Sequence, residues 1–220
     1  MIAVSNSYDP LLKRPFSYFK KTTESIQFLY KVIGKGTSLM KDMKQGDVIN
    51  IIGPLGTGYP KPENSSIPLL VAGGTGAASI LSLAEELPQK AYFLNGAKCK
   101  EEYLILDELK HLEKKDIMCM NCTEDGSFGR KGTVVDILNE FLKSESPQLN
   151  SCVLYACGPR LMLESIAKIV HNYKMKGYVS LEENMACGFG ACLGCAVQTV
   201  HGYKQVCKEG PVFPIEEIVW

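Results

Sequence analysis

Cys187, Cys192, Cys195 and Cys207 follow the spacing C-x4-C-x2-C-x11-C, with Gly188, Gly190 and Gly194 set between them. Four thiolates at this plant-ferredoxin type of spacing are what the two irons of a 2Fe-2S cluster need. The glycines allow sharp turns between ligands and close approach of backbone amides to inorganic sulfide. Amides so placed offset the cluster's negative charge and tune its potential. Two other readings stand beside this one. A four-cysteine zinc site divides into two separated CxxC knuckles, and Cys192-Leu193-Gly194-Cys195 is a single knuckle. Four unrelated buried thiols would not be expected to cluster with glycines between them.

Three further groups carry possible cofactor chemistry. Gly73-Gly74-Thr75-Gly76 follows the apolar run Pro68-Leu69-Leu70-Val71-Ala72 and precedes a helix expected from Ala77 to Leu87, stopped by Pro88. Such a turn suits a dinucleotide pyrophosphate at a helix N-terminus. Lacking the full G-x-G-x-x-G spacing, it reads equally as a tight strand-to-helix turn. Cys157-Gly158-Pro159 closes the apolar run Cys152 to Ala156, and Cys157 alone reads as a small buried residue. Arg14-Pro15-Phe16-Ser17 offers a guanidinium for a pyrophosphate, a fixed φ and a hydroxyl, or else an ordinary surface arginine before a strand-edge proline. Gly36-Thr37 can bring backbone N–H groups and a hydroxyl against phosphate. The lone pair Cys119-x2-Cys122 and the histidines His111, His171 and His201 read as structural or surface residues.

The elements that must position these groups change character along the chain. To about Leu55 the pattern is β: Ile26, Phe28, Tyr30 and Val32 alternate with Gln27, Leu29 and Lys31, and Gly46-Asp47 turns into the run Val48 to Ile52. A small antiparallel barrel fits such strands. The Gly/Pro-rich stretch from Gly53 to Pro62 is the connector. Beyond it, strands near Pro68–Ala72, Ala91–Leu94, Asp116–Met120 and Cys152–Ala156 alternate with helices near 77–87, 101–111, 133–143 and 159–174. Thr133 and Asp136 form a candidate capping box for the third of these helices. The alternation implies a Rossmann-like parallel sheet with its ligand at the carboxyl ends of the strands. The expected units are 1–60, the small barrel; 61–178, the dinucleotide-binding α/β unit; and 179–220, the 2Fe-2S subdomain.

Lysine plus arginine and aspartate plus glutamate each total 24, which leaves no electrostatic footprint for nucleic acid or an anionic membrane. The N-terminus lacks the basic region and apolar core of a signal peptide, and no apolar run approaches the roughly 18 residues of a membrane span. Nine cysteines in such a chain point to a reducing, cytoplasmic compartment.

The stretches Ser180 to Gly188 and Val206 to Phe213 closely resemble the electron-transfer subunits of dihydroorotate dehydrogenase B, a family within the ferredoxin-NADP reductase-like flavoproteins. Thr123 to Gly129 and Lys131-Gly132 match the same subunits, and the resemblance covers nearly the whole chain after Arg14. It implies FAD for the unit 1–60, whose barrel it makes incomplete, and NAD for the unit 61–178. It further implies that Arg14, Pro15, Phe16 and Ser17 form the first FAD-contacting motif, with the arginine on the pyrophosphate and the serine near the flavin. Leu29, Tyr30 and Lys31, then Gly36 and Thr37, are implied as the second and third FAD-contacting stretches. Gly73, Gly74, Thr75 and Gly76 with Cys157, Gly158 and Pro159 are implied at NAD, the latter three on the nicotinamide side. The implied partner is an FMN-containing dihydroorotate dehydrogenase catalytic subunit, in a heterotetramer with two copies of each chain, serving pyrimidine biosynthesis. Electrons would run from FMN through the 2Fe-2S cluster and FAD to NAD, with no acid–base residue required of this chain. The alternatives are a subunit serving another reductase or a hydrogenase, and a zinc-stabilised interaction module on a degenerate reductase scaffold. One departure stands out. Thirteen residues precede Arg14, fewer than the family's earlier barrel strands need, so either the barrel is short or Met1 is an internal methionine.

Overall fold

Strand–helix alternation between Ile67 and Ser180 builds one sheet with helices on both faces. The computed structural model describes residues 1–3, 9–88, 90–144 and 151–220. In chain order the strands are β1 (Ile2–Ala3), β2 (Lys20–Lys21), β3 (Ile26–Gln27), β4 (Asn50–Ile51), β5 (Ile67–Gly73), β6 (Ala91–Ala97), β7 (Ile117–Thr123), β8 (Arg130–Lys131), β9 (Cys152–Cys157), β10 (Lys176–Ser180), β11 (Ala196–Thr199), β12 (Gly202–Gln205) and β13 (Val212–Pro214). The helices are α1 (Lys35–Asp42), α2 (Ala77–Glu86), α3 (Leu106–Glu113), α4 (Val134–Ser144) and α5 (Arg160–Asn172).

The main sheet runs β13-β10-β9-β5-β6-β7-β8, parallel except for β13, which pairs antiparallel with β10. Alternating side chains of the central strand feed two cores. Leu69 and Val71 face α4 and α5, while Leu70 and Ala72 face α2 and α3. In α4 the buried set Val134, Ile137, Leu138, Phe141 and Leu142 recurs at helical spacing. The Thr133–Asp136 box opens that helix: Thr133 N–H donates to Asp136 Oδ2 at 2.8 Å, and Asp136 N–H returns to Thr133 Oγ1 at 3.2 Å. From β5 the chain proceeds outward to β6, β7 and β8 on one side, then returns to β9 and β10 on the other. The topological switch point therefore lies between β5 and β9.

The N-terminal segment departs from the strand pattern expected of it. The alternation from Ile26 to Val32 yields only β3, and the run Val48 to Ile52 yields only β4. Ile26 is 53% exposed and Val48 84%. Alternation divides a strand into two faces, but the backbone still needs a neighbour for its N–H and C=O groups. Among the described residues only the short ladders β1–β4 and β2–β3 supply one. Residues 35–42 form a helix inside the stretch read as β. Thr37 starts it: its hydroxyl accepts from Ile33 and Gly34 N–H at 3.0 and 3.1 Å and donates to Gly34 O at 3.0 Å.

Candidate functional site

Two turns meet at the switch point. β5 ends at Gly73, and Gly74–Gly76 make one 3-10 turn that runs directly into α2. β9 ends at Cys157, and Gly158-Pro159 lead into α5. A Cβ on Gly76 would fall inside van der Waals contact with the carbonyl oxygen of Cys157, so only glycine lets the turns touch. Both helices present their N-termini at this crevice, where free N–H groups and the helix dipole favour pyrophosphate. Thr75 stands exposed at the tip of the first turn. Behind the crevice the Cys157 thiol is buried and pushed up to about 12, chiefly by burial and then by Glu182. Tyr59, Ser79 and Ser180 stand in its surroundings, and Tyr59 Oη lies 3.1 Å from Ser79 Oγ. Cys157 is therefore a neutral, buried thiol rather than a thiolate nucleophile. Tyr59, Ser79 and Ser180 escaped the sequence reading, since nothing in their local spacing links three elements so far apart.

The cysteine loop leaves from the same rim. β10 runs parallel to β9, and the chain passes from Ser180 at its carboxyl end into the loop that carries Cys187, Cys192 and Cys195. The x11 spacing to Cys207 is a β-hairpin. β11 and β12 pair from Thr199↔Gly202 to Ala196↔Gln205, and Val206 N–H donates to Cys195 O at 3.0 Å, which sets Cys207 beside Cys195. Cys207 thus stands beside Cys195, while Cys187 and Cys192 lie in the loop that precedes the hairpin. Among the described residues no three His, Cys, Asp or Glu side chains converge on a single ion position.

Backbone amides already address these sulfurs. Ala191 N–H donates to Cys187 Sγ at 3.3 Å, and Cys207 N–H to Cys195 Sγ at 3.4 Å. The N–H groups of Phe189 and Cys192 bring Cys187 down to about 6, whereas burial raises Cys207 to about 11. Gly188 turns at φ +82°, and a side chain there would collide with Met1, which packs over the loop together with Leu55. Soft thiol donors ringed by N–H groups fit a sulfide-containing cluster.

The third group lies in the N-terminal unit. Arg14 bridges to Ile2 through both backbone groups, and its guanidinium lies across Gly36, where a Cβ would sit 2.6 Å from Nε. The guanidinium also donates to Leu12 O. The first intrahelical bond of α1 is Ser38 N–H to Gly34 O, so the amides of Lys35, Gly36 and Thr37 remain at its N-terminus beside Arg14. A phosphate would find a guanidinium and helix-terminal amides there, while the Thr37 hydroxyl is engaged by backbone. Phe16 packs edge-on against Tyr30 at 5.9 Å and against Phe28 at 6.1 Å, while Pro15 and Ser17 are exposed. Leu29 packs on the core beneath α2 and α3, and the Lys31 ammonium pairs with Glu102 at 2.7 Å.

Comparison with known proteins agrees with this geometry. Residues 182–219 match the family model "Iron-sulfur cluster binding domain of dihydroorotate dehydrogenase B", and residues 70–168 match "Oxidoreductase NAD-binding domain". The dihydroorotate dehydrogenase B (NAD(+)) electron transfer subunit of Desulforamulus reducens is 38% identical over 96% of this chain and 82% of its own length. The chain belongs to the family of dihydroorotate dehydrogenase B electron-transfer subunits. A homolog of that subunit from Aquifex aeolicus is 39% identical over 100% of this chain and 84% of its own. Among solved structures, one of an NADH-dependent reduced ferredoxin-NADP oxidoreductase studied for flavin-based electron bifurcation has a TM-score of 0.82 at 29% identity. It covers 94% of this chain and 74% of that one. The cytochrome b5 reductase domain of Ulva prolifera nitrate reductase, with a TM-score of 0.59 at 18% identity and covering 74% and 73%, shares the fold. The family's scaffold is thus a ferredoxin-NADP reductase-like one: a parallel α/β sheet, an N-terminal unit with short antiparallel ladders, and a C-terminal cysteine segment.

Proposed function

We propose that this chain is the electron-transfer subunit of an NAD-dependent dihydroorotate dehydrogenase, passing electrons from an FMN-containing catalytic subunit through a 2Fe-2S cluster and FAD to NAD in pyrimidine biosynthesis. The observation that carries the reading is a shared border. The Gly73–Gly76 and Cys157–Pro159 turns and the cysteine loop all open on the carboxyl rim of β5, β9 and β10, and the N-terminal unit reaches that loop through Met1 and Leu55. Thr57 N–H donates to Gly210 O at 2.5 Å and ties the connector to the segment that carries Cys207.

The residues divide the work. Cys187, Cys192, Cys195 and Cys207 hold the cluster. Arg14 and the amides of Gly36 and Thr37 hold the FAD pyrophosphate, with Pro15, Phe16, Ser17, Leu29 and Tyr30 along the rest of that cofactor and Lys31 at its edge. Gly73, Gly74, Thr75 and Gly76 bind the NAD pyrophosphate, and Cys157, Gly158 and Pro159 line the nicotinamide end. A flavin exchanges electrons singly or in pairs, which lets it stand between a one-electron cluster and a hydride carrier. The working units are 1–60, 61–178 and 179–220. The assembly is a cytoplasmic heterotetramer with two copies of each subunit. Among the described residues, no helix is long and apolar enough to cross a membrane.

Anaerobic purification with the catalytic subunit tests the reading. The expected product shows flavin and iron–sulfur absorption, and dihydroorotate reduces NAD only when both subunits are present. A colourless chain, or a complex whose NAD reduction does not depend on dihydroorotate, overturns it.

A further inference from the structure

Two lysines of the N-terminal unit reach across to two glutamates of the α/β unit. Lys20 Nζ lies 2.8 Å from Glu108 Oε1, and Lys31 Nζ lies 2.7 Å from Glu102 Oε1. Both glutamates belong to the connection that follows the carboxyl end of β6, one in the turn Lys100–Glu102 and one in α3. The lysines bracket an apolar anchor. Phe19, adjacent to Lys20, is buried in the core beneath α2 and α3, and Leu29, two residues before Lys31, packs on the same core. Apolar contact holds two surfaces together without fixing their register, whereas a pair of charges at each end penalises a slip. The Lys20–Glu108 side chains are 33% and 20% exposed, so that pair is partly sheltered from solvent screening. The two partners of the other pair agree in direction. Its hydrogen bond holds the Glu102 carboxyl below the usual range and raises Lys31.

From this juxtaposition we infer that Glu102 and Glu108 are positioning residues: by holding Lys31 and Lys20 they set the register between the flavin-carrying unit and the NAD crevice. The inference rests on the proposed function for what the two units carry. It adds to the placement of Lys31 at the edge of FAD a second task for its ammonium, which pairs with a carboxylate of the other unit. β5 and β6 are neighbours through Gly73↔Gly96, so a shift of the β6–α3 connection is felt beside the Gly73–Gly76 turn.

The test uses the full chain as purified with its cofactors, and the variants Glu102→Gln, Glu108→Gln and their double. The first readout is single-turnover reduction of the flavin by NADH, followed by its absorbance. Each single variant is expected to slow it about two- to fivefold, and the double more, with flavin and iron content within about twofold of wild type. The charge swap Lys20→Glu/Glu108→Lys should recover the rate that Lys20→Glu alone loses, which general destabilisation would not produce. The second readout needs no cofactor: amide hydrogen exchange of residues 18–31 should accelerate in the double variant of the cofactor-free chain. Wild-type rates and unchanged exchange in the double variant overturn the inference. A wild-type chain that holds no flavin, or whose flavin NADH does not reduce, overturns the proposed function instead, and the exchange comparison still decides whether the clamp exists.

Discussion

Cys119 and Cys192 are both cysteines with a free thiol, yet their surroundings assign them different chemistry. Cys119 lies on β7, with its Sγ 3.8 Å from Leu109 O, and burial pushes it up to about 12. Cys192 is exposed in a loop whose amides face sulfur. Cys192→Ser is therefore expected to abolish or strongly perturb the visible and paramagnetic signals of the cluster, and Cys119→Ser to leave them unchanged. An unaltered spectrum in separate Cys187, Cys192 and Cys207 variants would remove the ligand assignment. In its proposed role on the FAD pyrophosphate Arg14 would supply charge-assisted hydrogen bonds worth about 1.5–3 kcal/mol, so Arg14→Ala should weaken FAD binding roughly 10- to 150-fold in a fluorescence titration. Equal affinities would leave Arg14 with only its packing on Gly36. The nearness of Cys195 and Cys207 was legible in sequence because the eleven residues between them are one hairpin. The hydroxyls of Tyr59, Ser79 and Ser180 were not, because the proximity of the connector, α2 and β10 exists only after the sheet has formed.

At the scale of elements, legibility followed burial. Every strand and helix predicted between Pro68 and His171 is present within a few residues, since each lies on a sheet whose two faces are both covered. The exception in detail is the helix expected over 101–111, which forms as a 3-10 turn at Lys100–Glu102 followed by α3 from Leu106. Where cover is missing, in residues 26–32 and 48–52, alternation did not translate into long strands, and α1 was overlooked. β11, β12 and β13 were overlooked too, because the cysteine motif dominates the composition of their neighbourhood. A sharper expectation attaches to the capping box. Thr133→Ala should cost about 0.5–2 kcal/mol in urea unfolding by opening α4. Backbone N–H of Thr133, then its hydroxyl, hold Asp136 below the usual carboxylate range. That stabilisation is complete above the ordinary aspartate value and is lost as pH falls through the lower folded value, so the wild-type advantage should shrink on the acid side to the part carried by Asp136 N–H on Thr133 Oγ1.

The whole molecule is unevenly supported. Residues 67–218 enclose two continuous cores, whereas among the described residues before the connector the buried apolar side chains are Met1, Ile2, Phe19 and Met40. Ile33 and Val48 are more than 80% exposed in that N-terminal part. Local stability tracks such burial, so hydrogen exchange should be fast across residues 9–52 and slow in β5, β6 and β9. Because FAD binds only the folded unit, a hundredfold excess over its Kd should add about 2.7 kcal/mol there and slow that exchange selectively. Uniform protection without flavin would contradict this picture. A second whole-molecule expectation concerns Phe189 and Leu193, which lie 59% and 64% exposed between cluster cysteines. An apolar patch beside an electron-transfer centre suits the partner's surface. Phe189→Asp with Leu193→Asp should abolish co-purification with the catalytic subunit while sparing the isolated chain's spectrum, and survival of the complex would move the docking face elsewhere.

The antiparallel strand β13 has a consequence for how the protein matures. It is the last strand of the main sheet, yet it follows Cys207 by only a few residues, and β10, which it covers, leads into the cysteine loop. Both borders of the sheet's edge are thus anchored in the segment that a cluster would organise. A newly made chain awaiting iron and sulfide has less to hold β13 in place, and an uncovered β10 presents an open row of N–H and C=O groups. Supply of the cluster would then govern abundance as well as electron flow: under iron starvation the chain is expected to be lost to proteolysis or aggregation, beginning at this edge.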